Sequence, residues 1–423
     1  VWFDSGCASF AGHYGESLSY EEIVKKYYPI KWITESEDQV RGWFSSLFNV
    51  GYLLFEKAPY NELLYYGFVM DETGQSKMSK SLGNGIGGNE ALELWGADRS
   101  RYYLLTKKAP EDKINFAKTE FSIVEGFFNT LDNLVKYMNG YLEEHDLRFP
   151  TLNLMNLDVE DKWILYRLNK TIEIFVKEFE KFRFNIAYKE LENFIVSDLS
   201  KTYLKIVKER TEERDENLLI VFSDILKKML ILLSPVIPFK AEHLYQQIKF
   251  DTKKESIFFE MIPDVNGLII KDVETKEIDT NFELVQELIA SILNAREKVK
   301  IGVRWPLSQV DIVSNKDLKS SLSVFEKLIK QLTNIKKINY GLDGVEINYV
   351  VKPNFATLKQ DFKNMQDAMK VINTNKFNIS EDLKRGAVVG TYDGVNIDLE
   401  KHIIKEIELK GDLVSTEFKG GSI

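Results

Sequence analysis

Two lysines, Lys77 and Lys80, stand three residues apart in the stretch DETGQSKMSKSLGN, residues 71–84, among serines and between Gly74 and Gly83. A glycine-bearing loop can turn successive backbone N–H groups towards an anion, and lysine ammonium groups are compact, mobile point charges. After an apolar run and ahead of a helix, such a loop suits a transferring phosphate chain, whose growing charge must be met as a bond to phosphorus breaks. A solvated surface turn is the alternative for any pair of lysines.

The elements that must position this loop follow from periodicity. From 1 to 115, short apolar runs such as IKWIT and ELLYYGFVM alternate with helical patterns such as RGWFSSLFNVGYLLF. That alternation predicts a parallel α/β sheet, whose ligands lie beyond the carboxyl ends of its strands. The lysine loop follows one such strand and precedes a helix candidate, NEALELWGADRSRYYLLT. From 116 to 262, apolar residues recur at three- and four-residue spacing through EFSIVEGFFNTLDNLVKYMNGYL, DKWILYRLNKTIEIFVKEFEKF and NIAYKELENFIVSDLSKTYLKIVKER, which predicts a helix bundle. Its leucine-rich run up to Pro235 is broken by Asp224, Lys227 and Lys228, so it reads as a buried helix and not as a membrane span. From 263 to 423 a helix candidate, NFELVQELIASILNAREKVK, leads into short β-rich pieces mixed with lysine-rich helical stretches. A third, smaller α/β domain is expected there.

Composition narrows the function classes. The 423 residues are 44% hydrophobic and 29% charged, enough for two or three packed cores. Sixty-five acidic against 56 basic side chains give a net charge of -9, so a polyanion must be met by a local basic surface, and coating of nucleic acid by the whole field is disfavoured. One cysteine, Cys7, and four scattered histidines, His13, His145, His243 and His402, supply neither a disulfide framework nor a cysteine/histidine zinc site. A reducing, cytoplasmic setting is expected. The chain opens on Val1 with no initiator methionine, basic region or signal-like segment, and is expected to be a piece of a longer protein.

The pentapeptide KMSKS, residues 77–81, resembles the signature loop of the class I aminoacyl-tRNA synthetases. The resemblance implies that residues 1–115 are the second half of a Rossmann-type catalytic domain. It implies that Lys77 and Lys80 stabilise charge at the α-phosphate and on departing pyrophosphate as an aminoacyl-adenylate forms. Met78 would pack near the adenine, and Ser79 and Ser81 would shape the loop. Upstream, WITESEDQVRGWF, residues 32–44, resembles the isoleucyl pattern Glu-Gly-x-Asp-Gln-x-Arg-Gly-Trp more than its valyl or leucyl equivalents. Glu35, Asp38 and Gln39 are thereby implied to face the adenylate, where a carboxylate can accept ribose hydroxyls and an amide can donate and accept. Trp43 is implied to wall the isoleucine pocket, with an ion-paired helix start and a core tryptophan as the alternative. Ser36 departs from the pattern, which has glycine there. The opening VWFDSG resembles a second family segment and makes Trp2 the facing wall; Asp4 and Ser5 fit a structural turn equally well.

The helical middle resembles the family's anticodon-binding bundle. Lys201, Lys205, Lys208 and Arg210 are then candidates for tRNA backbone contacts, and Tyr203 for stacking on a base. A salt-bridged solvent face, with Asp198, Glu209, Glu212 and Glu213 as partners, is the alternative. The tail AREKVKIGVRWPLSQV resembles the segment after the bundle in isoleucyl members of archaeal and eukaryotic type, which adds Arg296 and Arg304 as tRNA contacts. The family's His-x-Gly-His turn and editing domain are expected ahead of Val1, so the isolated chain is expected to form no adenylate. His13, in AGHYGE, is not that turn. The implied whole joins isoleucine to tRNA(Ile), with ATP and Mg2+ as substrate, no membrane and no zinc, as a monomer. A valyl-type synthetase, a non-catalytic tRNA-binding relative and a purely structural helical scaffold are the rival readings.

Overall fold

In the computed structural model the described residues are 1–12, 19–79, 82–145, 157–212, 215–248, 253–264, 273–314, 318–341, 347–409, 416–418 and 421–422. Lys80, Ser81, His13 and Glu213 therefore lie outside the described residues.

The first of two compact units, Val1–Thr275, opens with the short helices α1 (Trp2–Gly6) and α2 (Ala8–Ala11). Helix α3 (Tyr20–Tyr27) starts at Ser19, whose hydroxyl accepts from the Glu22 N–H while the Glu22 carboxylate accepts from the Ser19 N–H. This reciprocal cap satisfies two donors that the first turn leaves without partners. Strand β1 (Ile30–Ser36) is joined through the tight turn Glu37–Arg41 to α4 (Trp43–Phe55), which returns the chain to β2 (Tyr60–Tyr66). β1 and β2 pair in parallel, with Glu35 opposite Tyr65 and Ser36 opposite Tyr66. Ile33 of β1 is buried against Phe44 and Leu47 of α4, so by alternation Trp32, Thr34 and Ser36 belong to the other face.

A second parallel pair follows, β3 (Val69–Met70) with β4 (Ile114–Asn115). Between its strands lie α5 (Gly88–Trp95) and α6 (Ala97–Thr106). The sequence predicts one helix here, but Gly96 at φ +78° divides it, since a left-handed residue ends the hydrogen-bond ladder. The α/β expectation is met by two separate parallel pairs among the described residues.

The bundle comprises α7 (Phe121–His145), α8 (Val159–Glu180), α9 (Phe184–Asn193), a π-helical stretch Phe194–Tyr203, α10 (Leu204–Ile206), α11 (Lys208–Glu212), α12 (Glu216–Leu233) and α13 (Pro238–Gln247). Its core is built from side chains one turn apart, such as Leu131, Val135 and Met138 of α7, Ile164, Leu168 and Ile172 of α8, and Ile225 and Met229 of α12, all fully buried. Each such side chain stabilises the bundle by about 1.5–3 kcal/mol relative to exposure. No helix among the described residues is long and apolar enough to cross a membrane.

The second unit, Lys276–Ile423, contains most of α14 (Val273–Lys298) and the parallel pair β5 (Leu307–Ile312) and β6 (Ile335–Tyr340), linked by α15 (Lys319–Ser323) and α16 (Glu326–Thr333). Strand β7 (Ile347–Pro353) leads to α17 (Phe355–Asp361), α18 (Met365–Thr374) and α19 (Lys376–Lys384), then to the hairpin β8 (Val389–Tyr392) and β9 (Val395–Asp398). β10 (Ile403–Leu409) returns antiparallel to β7. Val351, Leu358, Ile372, Ile379 and Ile397 form the core of this part.

Candidate functional site

The carboxyl end of β1 gathers polar groups into one network. The Glu35 carboxylate accepts from the Tyr66 hydroxyl at 3.1 Å and from the Ser36 N–H at 3.2 Å. The Ser36 hydroxyl donates to one oxygen of Asp38, and the Gln39 amide donates to the other at 3.4 Å. Gln39 in turn accepts from the Trp43 N–H at 3.0 Å, which ties the turn to the start of α4. Ser36, in place of the glycine of the family pattern, therefore supplies a bond of its own. That bond is the main reason the Asp38 carboxyl is held below the usual carboxylate range; the ammonium of Lys77 and the Gln39 amide push it the same way.

Lys77 arrives from the loop after β3. The Asp71 carboxylate accepts from the Thr73 hydroxyl and from the N–H groups of Gln75 and Ser76, and folds residues 71–76 into a tight hairpin. Gly74 turns that hairpin at φ +73°, where a side chain would come within 2.7 Å of the Asn115 amide. Lys77 then bridges antiparallel to Met70, and the Met78 N–H donates to the Val69 carbonyl at 2.9 Å. Beyond it, Asn84 accepts from the Ser79 N–H and donates to the Lys77 carbonyl, at 2.9 and 3.3 Å. The exposed Lys77 ammonium rests 3.4 Å above the centre of the Phe68 ring, a cation–π contact. The charge of Lys77 is near enough to the carboxyl end of the β1–β2 pair, where a parallel sheet binds its ligands, to favour the ionised form of Asp38.

The two tryptophans flank the same turn. The Trp43 indole N–H donates to the Ser5 carbonyl at 2.9 Å, and the Ser5 hydroxyl donates to the Trp2 carbonyl at 2.9 Å. The Trp2 ring, 57% exposed, lies over Gly42, since a Cβ on Gly42 would stand 3.4 Å from it. The Ser5 carbonyl thus holds the Trp43 indole, while its hydroxyl bonds only the backbone of Trp2.

On the bundle the sequence expectations separate. Lys201, Lys205 and Lys208 are exposed. Tyr203 is fully buried, with its hydroxyl donating to Asp161 at 2.7 Å, and cannot stack on a base. Arg210 is also buried, and its guanidinium donates to Asp161, Glu160 and Asp215 at 2.7–3.0 Å, so it is not a phosphate contact. At 3.6 residues per turn Lys201, Lys205 and Lys208 share one face, whereas Tyr203 and Arg210 fall on the opposite one, which here is the face turned to the bundle interior. Asp198, expected among the acids opposing the lysines, accepts from Arg167 at 2.8 Å. In the second unit Arg296 is likewise buried, where it donates to the carbonyls of Gly302 and Trp305, and is removed from the RNA contacts. Arg304, beside it, is exposed.

Sequence reasoning missed Tyr66, Phe68, Asn84 and Asn115. Only Asn84, in the turn-forming pair Gly83–Asn84, carried a readable signal.

Residues 1–117 match the family profile of tRNA synthetases class I (I, L, M and V), and residues 161–312 match the anticodon-binding domain of tRNA ligase. The chain is 31% identical over 433 residues to the isoleucine–tRNA ligase of Methanocaldococcus jannaschii and 32% identical over 436 residues to that of Pyrococcus abyssi. In both cases all of this chain is matched by 40% of the relative, so the chain spans about 40% of the length of these curated relatives. A solved ternary complex of an Agrobacterium radiobacter leucyl-tRNA synthetase with tRNA and LeuAMS shares the fold at a TM-score of 0.50 and 21% identity, covering 63% of this chain and 34% of that one. Parallel strands bearing a lysine loop, a helical bundle and agreement along the whole chain converge on one conclusion: the chain belongs to the class I aminoacyl-tRNA synthetases, and within them it aligns with a stretch of the archaeal isoleucyl type.

Proposed function

We propose that this chain supplies the lysine-loop part of an adenylate-forming site, and the RNA-binding bundle, of an enzyme that attaches isoleucine to tRNA(Ile). The reading is supported by the hydrogen-bonded network of Glu35, Ser36, Asp38 and Gln39 at the carboxyl end of β1, with the charge of Lys77 near enough to favour the ionised Asp38. In this reading the isoleucine carboxylate attacks the α-phosphorus of ATP, the α–β anhydride bond breaks, and pyrophosphate leaves. The isoleucyl group then passes to the 2′-hydroxyl of the terminal adenosine and AMP is released. Lys77 leaves the Phe68 ring to meet the charge that grows on the leaving group, together with Lys80. Glu35, Asp38 and Gln39 orient the nucleoside, Met78, Ser79 and Ser81 shape its cover, and Trp2 and Trp43 flank the isoleucine side chain. Mg2+ comes with the triphosphate as part of the substrate. Lys201, Lys205, Lys208 and Arg304 meet RNA phosphates. The enzyme works as a cytoplasmic monomer.

The test is isoleucine-dependent ATP–pyrophosphate exchange by the full-length protein, with valine as competitor. Replacing Lys77 by Ala is expected to slow exchange by roughly 100-fold or more, the usual cost of one preorganised donor to a developing anion. No exchange in the unmodified protein, or a preference for valine, overturns the reading.

A further inference from the structure

Helix α8 ends in a turn whose backbone favours glycine but holds phenylalanine. The N–H of Phe182 donates to the Phe179 carbonyl and the N–H of Arg183 to the Glu178 carbonyl, both at 2.9 Å, the paired bonds of a Schellman motif. Its left-handed position, at φ +58°, is occupied by Phe182. Glycine adopts that region without strain, and a bulky aromatic does not. Strain of this kind persists where the side chain does something the turn does not need.

The Phe182 ring stacks on Trp32, with centroids 5.4 Å apart and planes 17° from parallel. Trp32 belongs to β1, on the face away from α4, four residues before Ser36. On the bundle side Phe182 meets Phe184 edge-on at 6.2 Å, and Phe184 meets Phe179 at 5.1 Å. Aromatic contacts therefore run from the interior of the bundle to the strand whose end carries Glu35.

We propose that Phe182 is a positioning residue: its ring braces β1 from the bundle, so that RNA held on the bundle and the adenylate end of β1 keep one geometry while the acyl group is transferred. This rests on the function proposed above. Adenylate formation needs no RNA on the bundle, whereas transfer needs both parts aligned, and a displacement of about 1 Å can cost up to about 100-fold in rate.

In the full-length protein, Phe182→Gly removes the ring and relieves the turn, so thermal stability should hold or rise. Isoleucine-dependent exchange and the KM for tRNA are expected within about twofold of the unmodified protein, while kcat for transfer falls roughly tenfold. Trp32→Leu, which leaves the turn intact, should give the same split, and the double variant should be no worse than either single one. Unchanged transfer, a parallel fall in exchange and transfer, additive losses, or a Phe182→Gly protein that fails to fold each overturn the proposal. An unmodified protein without isoleucine-dependent exchange would instead overturn the functional reading, and the two failures are told apart by that control.

Discussion

Four carboxylates, those of Asp158, Glu160, Asp161 and Asp215, face the single guanidinium of Arg210 at 2.7 to 3.7 Å. Asp161 is fully buried, and Asp215 also caps α12 by accepting from the Asn217 N–H at 2.9 Å. Arg210 therefore pins the start of α8 to the start of α12. Replacing it with Met strands buried carboxylates without a counter-charge, a loss of about 3–5 kcal/mol expected in denaturant unfolding. Tyr203→Phe, which removes one buried hydrogen bond, should cost about 1–2 kcal/mol and leave RNA affinity unchanged, in contrast to a base-stacking role. Burial pushes the Glu160 carboxyl up, with Asp161 and Asp158 adding to it and Arg210 opposing. The folded state then binds this proton more tightly than the unfolded chain does, so Glu160 costs stability as pH rises from the ordinary glutamate range through its raised value. The stability of Glu160→Gln relative to the unmodified protein should accordingly increase as pH rises above the ordinary glutamate range, and a flat or falling difference in parallel melts would contradict the buried charge.

Helix α1 approaches α4 so closely that a Cβ on Gly6 would stand 2.9 Å from the Ser46 carbonyl oxygen and 2.9 Å from Val50. The backbone there cannot step aside without moving α1, and with it Ser5 and Trp2. Gly6→Ala should cost about 1–3 kcal/mol and raise the KM for isoleucine more than that for ATP, because Trp2 shifts with α1 and the Glu35 network does not; equal changes in both would argue against Trp2 as a pocket wall. At this scale the sequence was informative wherever a period ran unbroken. The short apolar run IKWIT placed β1, and three- and four-residue spacing placed α7, α8 and α12. It misled elsewhere. Gly96 split one expected helix into α5 and α6, and grouping Tyr203 and Arg210 with the lysines overlooked that both lie on the opposite, inward face of the helix. The lysine loop declared itself through its own residues, but its resting place over Phe68 and the bond from Tyr66 to Glu35 depend on the register of β2 with β1, which no local pattern encodes.

For the molecule as a whole, a net charge of -9 repels a polyanion at long range. In the proposed function RNA is then held by few and local cations, which makes their number measurable. Substituting Lys201, Lys205 and Lys208 together with Ala should weaken tRNA binding and flatten the plot of log affinity against log salt by about one for each phosphate left without its lysine; an unchanged slope would assign these lysines to solvent. The same three substitutions should leave the unfolding transition within about 0.5 kcal/mol, since exposed sites away from caps and networks contribute little.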